Sequence, residues 1–329
     1  MNLPPHLTTP AGIRGRPGIY LGARERWPYH LAFELVEHAV HEVLRGRASR
    51  AEVVLLPAGD VRVDYDGVHE QGLAGQLTDF QLALAAADRP GGGRGVGLHL
   101  VNVLSGRLVV EERRDGVAVR HAYARGELLA PPAAVGPAAD TGTTITFRPD
   151  AEICPPAPFQ YAVLADRLRE LAFLNRALDV TLTDLHPAAP RTERFHHPGG
   201  LAELVVRSGG DPAGVLSSTE EGTGRHPGDS VEFALSWTGG GGVRCFVDDR
   251  RTSGGTHLQG FHDGLAAALG RPGPPPGLTA AVAVKLNAPE YGGSYHQLLV
   301  NGAVRGWTAA AVRRAVEPWL AGHPAPAPA

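Results

Sequence analysis

The chain has 329 residues, enough for two domains, and its formal net charge of −3 gives no electrostatic reason to expect tight nucleic-acid binding. Its two cysteines, Cys154 and Cys245, are too few for a disulfide scaffold and are typical of a reducing compartment. Because no segment approaches the roughly 18 consecutive apolar residues of a membrane span and the start MNLPPHLTTPAG lacks the features of a signal peptide, we predict a cytoplasmic protein without a membrane partner.

The first half of the chain alternates helical and strand patterns. A helix is predicted over Pro28–Leu44, and the β-prone segments Val53–Leu56 and Val61–Asp64 are joined by a turn at 57–60. The further predicted elements are a helix at 97–104, strands at Arg107–Glu112, Val117–Tyr123, Thr143–Phe147 and Val180–Thr183, and a helix at Phe159–Asn175. Mixed strands with helices on one face predict an α+β sandwich over residues 1–198.

A second α+β unit is predicted over residues 199–322. Its predicted strands are Val231–Trp237, Val243–Val247 and Leu278–Leu286, and its predicted helices are Phe261–Leu269 and Thr308–Leu320. Thr308 precedes an alanine-rich run and is the predicted N-cap of the last helix. Residues 323–329 form a Pro/Ala tail without core-forming side chains, so we expect them to be disordered.

A glycine-rich segment, GGGRGVGLHLVNVLS at 91–105, leads into a helical apolar pattern. Backbone N–H groups at a helix N-terminus and the helix dipole together favour an anion, so Gly93, Gly95 and Gly97 are candidate phosphate contacts. The segment is neither a Walker A loop nor a dinucleotide fingerprint. It therefore predicts either an anion-binding loop or a turn that only supports the fold.

Several motifs of this sequence occur in a recognisable order. They are RPGIYLG at 16–22, HLAFELVEHA at 30–39, GGGRGVG at 91–97, TGTT at 141–144, LRELAFLN at 168–175 and GGTH at 254–257. Together they resemble the ATPase half of the DNA gyrase B protein and its topoisomerase IV counterpart, members of the GHKL superfamily. The resemblance implies a GHKL, or Bergerat-type, α/β sandwich followed by a transducer-like α+β domain. It includes no metal-binding or DNA-cleaving part, so we do not expect a complete topoisomerase subunit.

The same resemblance places substitutions at the nucleotide contacts of the family. His38 stands where the family has its Mg²⁺-binding asparagine, Tyr65 replaces the adenine-binding aspartate, and His296 replaces the phosphate-contacting lysine. His69 replaces a glycine of the motif that follows that aspartate. The retained positions are the glycine segment, His30, Arg120, Thr143 and Glu34, which in the family polarises the attacking water. Because imidazole is a poor Mg²⁺ ligand, we expect ATP with Mg²⁺ to bind weakly and efficient hydrolysis to be absent.

Three side chains of the first long helix fall on one face, because His30, Glu34 and His38 are spaced by four residues. One interpretation is acid–base catalysis by Glu34 with His30 and His38 as proton partners, and His296 closing the pocket from the second domain. The other interpretations are a metal site formed by His30, Glu34 and His38, and a solvated helix face. The predicted ligand-binding residues are Tyr65, His69, Gly93, Gly95, Gly97, Arg120 and Thr143.

The leading functional hypothesis is a gyrase-B-like protein whose former ATP pocket binds, and converts, another small molecule. Glu/His acid–base chemistry of this kind needs no cofactor and suits a cyclase or isomerase of specialised metabolism. The first alternative is a weakly active or non-hydrolysing protein that binds ATP with Mg²⁺ and acts as a topoisomerase partner or regulator. The second is a non-catalytic ligand or antibiotic binder, against which the missing adenine aspartate counts, since the family's drug contacts overlap it. We expect a monomer or a homodimer.

Overall fold

The computed structural model describes residues 7–69, 72–80, 97–155, 157–222, 228–292 and 297–326. The chain divides into two compact units. The first comprises the chain up to Ala172 together with Ala177–His196, and the second comprises Phe173–Arg176 together with the chain from His197 onward. Each unit encloses its own hydrophobic core, as expected of a domain.

The first unit contains the predicted helices and strands and two strands that the sequence did not reveal. Its elements in chain order are α1 (Pro10–Gly15), α2 (Gly18–Leu21), a 3₁₀ turn at Arg24–Arg26, α3 (Trp27–Leu44), β1 (Ala51–Leu55), β2 (Val61–Tyr65), α4 (Ala74–Thr78), α5 (Gly97–Val103), β3 (Ser105–Arg114), β4 (Val117–Ala124), β5 (Glu127–Pro137), β6 (Gly142–Pro149), α6 (Tyr161–Leu174), β7 (Val180–Asp184) and β8 (Arg191–Phe195). The strands β5 and β8 were not predicted.

The helix α3 has a clear local origin. Pro28 lies in its first turn, where the N–H group that proline lacks has no helical acceptor. Leu31, Leu35 and Val36 recur at helical spacing and are at most 2% exposed, so this side of the helix packs into the core. The opposite rim is left for polar side chains.

The strands of the first unit form one mixed sheet in the order β5-β4-β3-β6-β2-β1-β7-β8. All neighbours are antiparallel except β1 and β7. Tyr65 of β2 pairs with Thr143 of β6, which pairs with Glu112 of β3. Residues paired across strands point to the same face, so these three side chains share the face that carries the buried Val63 and Val110. The α+β class predicted from the sequence is confirmed.

The second unit is also a mixed α+β unit. Its elements in chain order are α7 (Gly200–Arg207), a 3₁₀ turn at Pro212–Gly214, β9 (Leu216–Glu221), β10 (Ser230–Ser236), β11 (Gly242–Val247), β12 (Arg250–Thr252), β13 (Gly254–Gly255), α8 (Thr256–Leu269), β14 (Thr279–Lys285), β15 (Tyr291–Gly292), β16 (Leu298–Leu299) and α9 (Gly302–Trp319). The larger sheet has the order β12-β11-β14-β10-β9, and β13, β16 and β15 form a smaller one. The helix α7 and the strands β9, β12, β13, β15 and β16 were not predicted.

The predicted N-cap at Thr308 is wrong, because α9 begins six residues earlier at Gly302, after the N-cap residue Asn301. Thr308 is fully buried within the helix, where it faces α8. A Cβ atom on Gly260 of α8 would lie 2.3 Å from the carbonyl oxygen of Arg305 and 2.9 Å from Thr308 Cβ. The close packing of α8 on α9 therefore stabilises a helical turn that the local sequence does not predict.

Two further observations concern the predicted C-terminal tail and the prediction that no segment spans a membrane. The ring of His323, the first residue of the predicted tail, stacks on Trp319 with 4.7 Å between ring centroids. Its carbonyl oxygen accepts a hydrogen bond from the Trp237 indole. In the part of the chain that the structure describes, every helix is too short or too polar to cross a bilayer.

Candidate functional site

The predicted stripe on α3 lies at the edge of the buried side of that helix. His30, Glu34 and His38 are all half-buried, whereas the leucines of the core-facing side are fully buried. Among the described residues, these three included, no group of His, Cys, Asp or Glu side chains converges as a metal site would require. The structure therefore gives no support to the metal interpretation.

The key contact of the site joins His38 to Tyr65. His38 Nε2 lies 3.1 Å from the Tyr65 hydroxyl oxygen, and the two rings meet edge to face with 5.8 Å between centroids. Tyr65 is the last residue of β2 and is only 2% exposed. By the resemblance described above, these are the positions of the family's Mg²⁺-binding asparagine and adenine-binding aspartate. The two substituted side chains thus bind each other.

Burial makes both members of this pair neutral at physiological pH. It lowers the pKa of His38 to about 4, even though the nearby Glu42 carboxylate favours the protonated ring. Burial also raises the pKa of the Tyr65 phenol above its usual value. The interpretation of His38 as a proton partner in acid–base catalysis is therefore not supported, because its imidazole stays neutral at physiological pH.

A buried carboxylate with its own partner lies beside the pair. Glu42 is 2% exposed and accepts a bidentate hydrogen bond from Arg47, with 2.6 Å between Arg47 Nε and Glu42 Oε2. Burial alone would raise the pKa of Glu42, but the bond from Arg47 and the nearby His38 and His69 hold it below its usual value. Glu42 is therefore a fixed negative charge that belongs to the wall of the site.

His69 lies near His38 and Glu42, as the sequence predicted for a pocket residue. Its backbone oxygen accepts a hydrogen bond from the Gly72 amide at 2.9 Å and closes a short turn. Its ring is half-buried, and among the described residues the buried Nδ1 atom has no hydrogen-bond partner. A polar atom of this kind is available to a ligand or a bound water.

Thr143 connects the sheet to the segment after β2. Its hydroxyl donates a hydrogen bond of 2.8 Å to the carbonyl oxygen of Gly67, and the residue is fully buried. A Cβ atom on Gly67 would lie only 2.1 Å from the carbonyl oxygen of Arg47, so this position requires glycine. Thr143 and Gly67 therefore fix the backbone beside Tyr65.

Two side chains on this face were missed by sequence reasoning. Glu112 is in the same cross-strand row as Tyr65 and Thr143, and His121 lies one pair further along, opposite Val110. His121 Nε2 lies 3.7 Å from Glu112 Oε2. The available signal was alternation: on β3, Glu112 continues the inward series of Leu108 and Val110, where a charged residue is unexpected.

Arg120, a predicted ligand contact, does not lie on the face of the sheet that carries Tyr65. Arg120 pairs with Glu111, so strand alternation places both on the face opposite Tyr65, and their side chains form an exposed ion pair of 2.8 Å. Gly97 opens the seven-residue helix α5 with a φ of 60°. His296, Gly93 and Gly95 lie outside the described residues.

Comparison with known proteins identifies the relatives of this chain. No protein-family profile matches it. The DNA gyrase B protein of Mycobacterium tuberculosis is 28% identical over 95% of this chain and 56% of that protein. The corresponding protein of Clostridium acetobutylicum is 30% identical over 95% of this chain and 54% of that protein. The chain thus spans about half the length of the curated relatives it matches.

Solved structures agree with these sequence relatives. The 43K ATPase domain of Thermus thermophilus gyrase B, in complex with an aminocoumarin, matches with a TM-score of 0.74 at 28% identity, over 95% of this chain and 89% of that one. The gyrase B protein from Myxococcus xanthus matches with a TM-score of 0.76 at 25% identity, over 96% and 97%. The topoisomerase IV ATP-binding domain of Francisella tularensis shares the fold, with a TM-score of 0.72 at 22% identity, over 95% and 92%. The chain is therefore homologous to the GHKL-type ATPase and transducer region of DNA gyrase B and topoisomerase IV.

Proposed function

We propose that this chain uses the pocket of a gyrase-B-type ATPase domain for a small molecule other than ATP, and that it does not hydrolyse ATP efficiently. The observation that carries the proposal is the hydrogen bond between His38 and Tyr65. In the family, as the resemblance implies, these positions supply an oxygen ligand for Mg²⁺ and a carboxylate for adenine. Here they supply an imidazole and a phenol that satisfy each other, and both are neutral.

The loss of these contacts affects both ends of a nucleotide. Mg²⁺ prefers oxygen ligands, and a neutral imidazole does not replace the asparagine amide oxygen. A site built to hydrogen-bond one group discriminates by orders of magnitude against a partner that cannot make that bond. Tyr65 therefore removes adenine selectivity, and His38 removes the means of holding the metal that neutralises the phosphates.

Glu34 is the residue that we propose for acid–base chemistry on the new ligand. It lies on α3 one turn from His38 and is half-buried, as a general acid or base next to a pocket should be. The neutral His38–Tyr65 pair would then orient the ligand by hydrogen bonds, and His30 would serve as the proton partner. Isomerisation or cyclisation by such groups requires no cofactor, and the two buried, unpaired cysteines suit the reducing cytoplasm that we propose as its location.

Isothermal titration calorimetry with ATP and Mg²⁺ tests the first half of the proposal. We expect no heat of binding at micromolar nucleotide and no steady phosphate release. Hydrolysis that Glu34→Gln abolishes would show that the chain is a working ATPase, and micromolar affinity without hydrolysis would also contradict the proposal.

The second half is tested by incubating the protein with metabolite extracts and following the loss of individual compounds by mass spectrometry. Glu34→Gln keeps the shape of the side chain but cannot carry the proton, so it should slow the conversion by about 10²–10⁴-fold. Glu25→Gln makes the same change at an exposed position of the preceding 3₁₀ turn and should have no effect. Equal rates in both variants would exclude Glu34 from the chemistry.

A non-hydrolysing ATP-binding protein that partners or regulates a topoisomerase is the second candidate. The observation in its favour is that Glu34, Thr143 and the helix-opening Gly97 remain at their family positions. This candidate predicts nucleotide binding without turnover, so the same calorimetry distinguishes the two. An aminocoumarin titrated in parallel tests the antibiotic-binding alternative, for which we expect no binding because Tyr65 replaces the aspartate.

A further inference from the structure

Glu112 brings a carboxylate to the pocket face of the first sheet. Its register places it beside Thr143 and two strands from Tyr65. Its side chain is only 14% exposed. Glu112 contributes electrostatically to the raised pKa of the two neighbouring phenols, those of Tyr65 and Tyr123. Glu112 is therefore a largely buried anion facing inward.

The polar contacts of Glu112 within the described residues are long. The Leu73 amide lies 3.5 Å from Glu112 Oε2, and His121 Nε2 lies 3.7 Å from the same oxygen. Charge-assisted hydrogen bonds are normally about 2.7–2.9 Å long, so neither contact satisfies the carboxylate. The backbone at Gly72 and Leu73 and the ring of His121 thus lie beside the carboxylate without a close bond to it.

The two arginines that follow Glu112 on β3 bind other groups. Arg113 binds Asp140 at 3.0 Å and the Thr144 hydroxyl at 2.9 Å, on the outer face of the sheet. Arg114 donates to the carbonyl oxygen of His69 at 3.3 Å. Burying a carboxylate without a close partner costs free energy. A cationic ligand that binds next to Glu112 would therefore be stabilised.

His121 adds an independent sign of a ligand. The residue is 9% exposed, and its Nδ1 atom is buried without a hydrogen-bond partner among the described residues. In the neutral tautomer with its hydrogen on Nε2, Nδ1 carries a lone pair and is an acceptor. The carboxylate of Glu112 and this nitrogen of His121 are then both suited to a ligand group that donates.

We propose that Glu112 and His121 form a subsite for a ligand group that carries positive charge and N–H donors, such as an amidine or a primary amine. This inference names the class of ligand for the proposed function. It rests on that proposal only in taking the pocket to bind a small molecule other than ATP. The preference is opposite to that of a nucleotide site, because a carboxylate repels phosphate.

Three fragments of nearly the same shape and different charge test the subsite: benzamidine, benzamide and benzoate. Each is titrated into the ¹⁵N-labelled full chain, and the amide shifts of Gly72 and Leu73 are followed by NMR. We expect benzamidine to bind at least about tenfold more tightly than benzamide, as one charge-assisted hydrogen bond would provide. Benzoate should leave these amides unshifted.

The matched variants are Glu112→Gln and Glu111→Gln. They make the same isosteric change at adjacent residues of β3, on the inner and the outer face of the sheet. Glu112→Gln should abolish the preference for benzamidine, and Glu111→Gln should retain it. Circular dichroism confirms the fold of each variant, and the wild-type ranking of the three fragments is informative even if a variant unfolds.

Benzamidine binding that survives Glu112→Gln, equal affinity for benzamide, or no shift at millimolar benzamidine would each overturn the subsite. These outcomes are separate from those of the proposed function, which depends on nucleotide binding and on Glu34. A chain that binds both ATP and benzamidine would retain the subsite and lose the proposed function.

Discussion

His38 in the first unit and His257 in the second have the same lowered pKa of about 4, and in both the largest cause is burial. Their surroundings differ. His257 is completely buried near the start of α8, and its Nε2 lies 3.2 Å from the Thr252 hydroxyl of β12. His38 is half-buried on the rim of α3, and its partner is the phenol of Tyr65.

The comparison separates a histidine enclosed within a fold from one at the candidate site. Thr252 also reaches Cys245, so the bonds of His257 join α8 to two neighbouring strands with no access to solvent. His38 as a residue is only half-buried, next to the Tyr65 hydroxyl. A shifted pKa by itself therefore does not identify a functional residue, whereas the shift together with access does.

The largest expected effect is a loss of stability in acid. A histidine whose folded pKa is about 4 is protonated first in the unfolded chain, whose histidines titrate near 6.5. The free energy of unfolding should therefore fall as the pH drops from 6.5 to 4, by up to roughly 3 kcal/mol for each histidine. Urea denaturation across this range measures the loss, and NMR titration of the ring Cε1 protons assigns it. A ring of either residue that titrates near pH 6.5 would contradict the burial argument.

A smaller expected effect is the stability lost when His257 or His38 loses its hydroxyl partner. Thr252→Val and Tyr65→Phe each remove the hydroxyl that contacts a histidine. In the closed region His257 cannot replace the bond with water, so Thr252→Val should cost about 1–3 kcal/mol. His38 reaches solvent, so Tyr65→Phe should cost no more than about 1 kcal/mol. Denaturation midpoints at pH 7 provide the test, and equal losses would show that His38 is as enclosed as His257.

The smallest expected effect concerns nucleotide binding. Combining His38→Asn with Tyr65→Asp breaks the neutral pair and restores the two family side chains. ATP affinity should then rise by at least about tenfold, while hydrolysis stays slow because His296 still replaces the lysine. His38→Asn alone is the control and should change affinity little. A double variant that folds and still ignores ATP would indicate that the pocket has changed well beyond these two positions.

Most of the elements that the sequence predicted were identified from patterns a few residues long. Alternating apolar residues and turn residues identified β1, β2, β3 and β4, and Pro28 identified the start of α3, because these features act over a few residues. Strand β5 was missed since Pro131 and Pro132 interrupt any strand pattern. An edge strand tolerates proline, and β5 is at the edge of its sheet. Only the sheet order shows that it is an edge strand.

The candidate site, like the fold, could be predicted only in part from local sequence patterns. The spacing of His30, Glu34 and His38 is a helical property, so the sequence predicted one stripe. The same rule could not show that Tyr65 reaches His38, because that contact depends on the packing of α3 over β2. It also could not exclude Arg120, whose face is known only from its pairing with Glu111.

The sequence by itself determined the α+β class and the relationship to gyrase B, and it predicted which nucleotide contacts are substituted, because motifs and periodicity are local features of the chain. The tertiary structure alone decided that His38 and Tyr65 bond to each other and that Glu112 and His121 face the same side as Thr143. The first of these relations joins residues 27 positions apart in the chain, and strand register and helix packing bring them together. Burial then sets the charge of His38, since the cost of a charge depends on what surrounds it rather than on its neighbours in sequence.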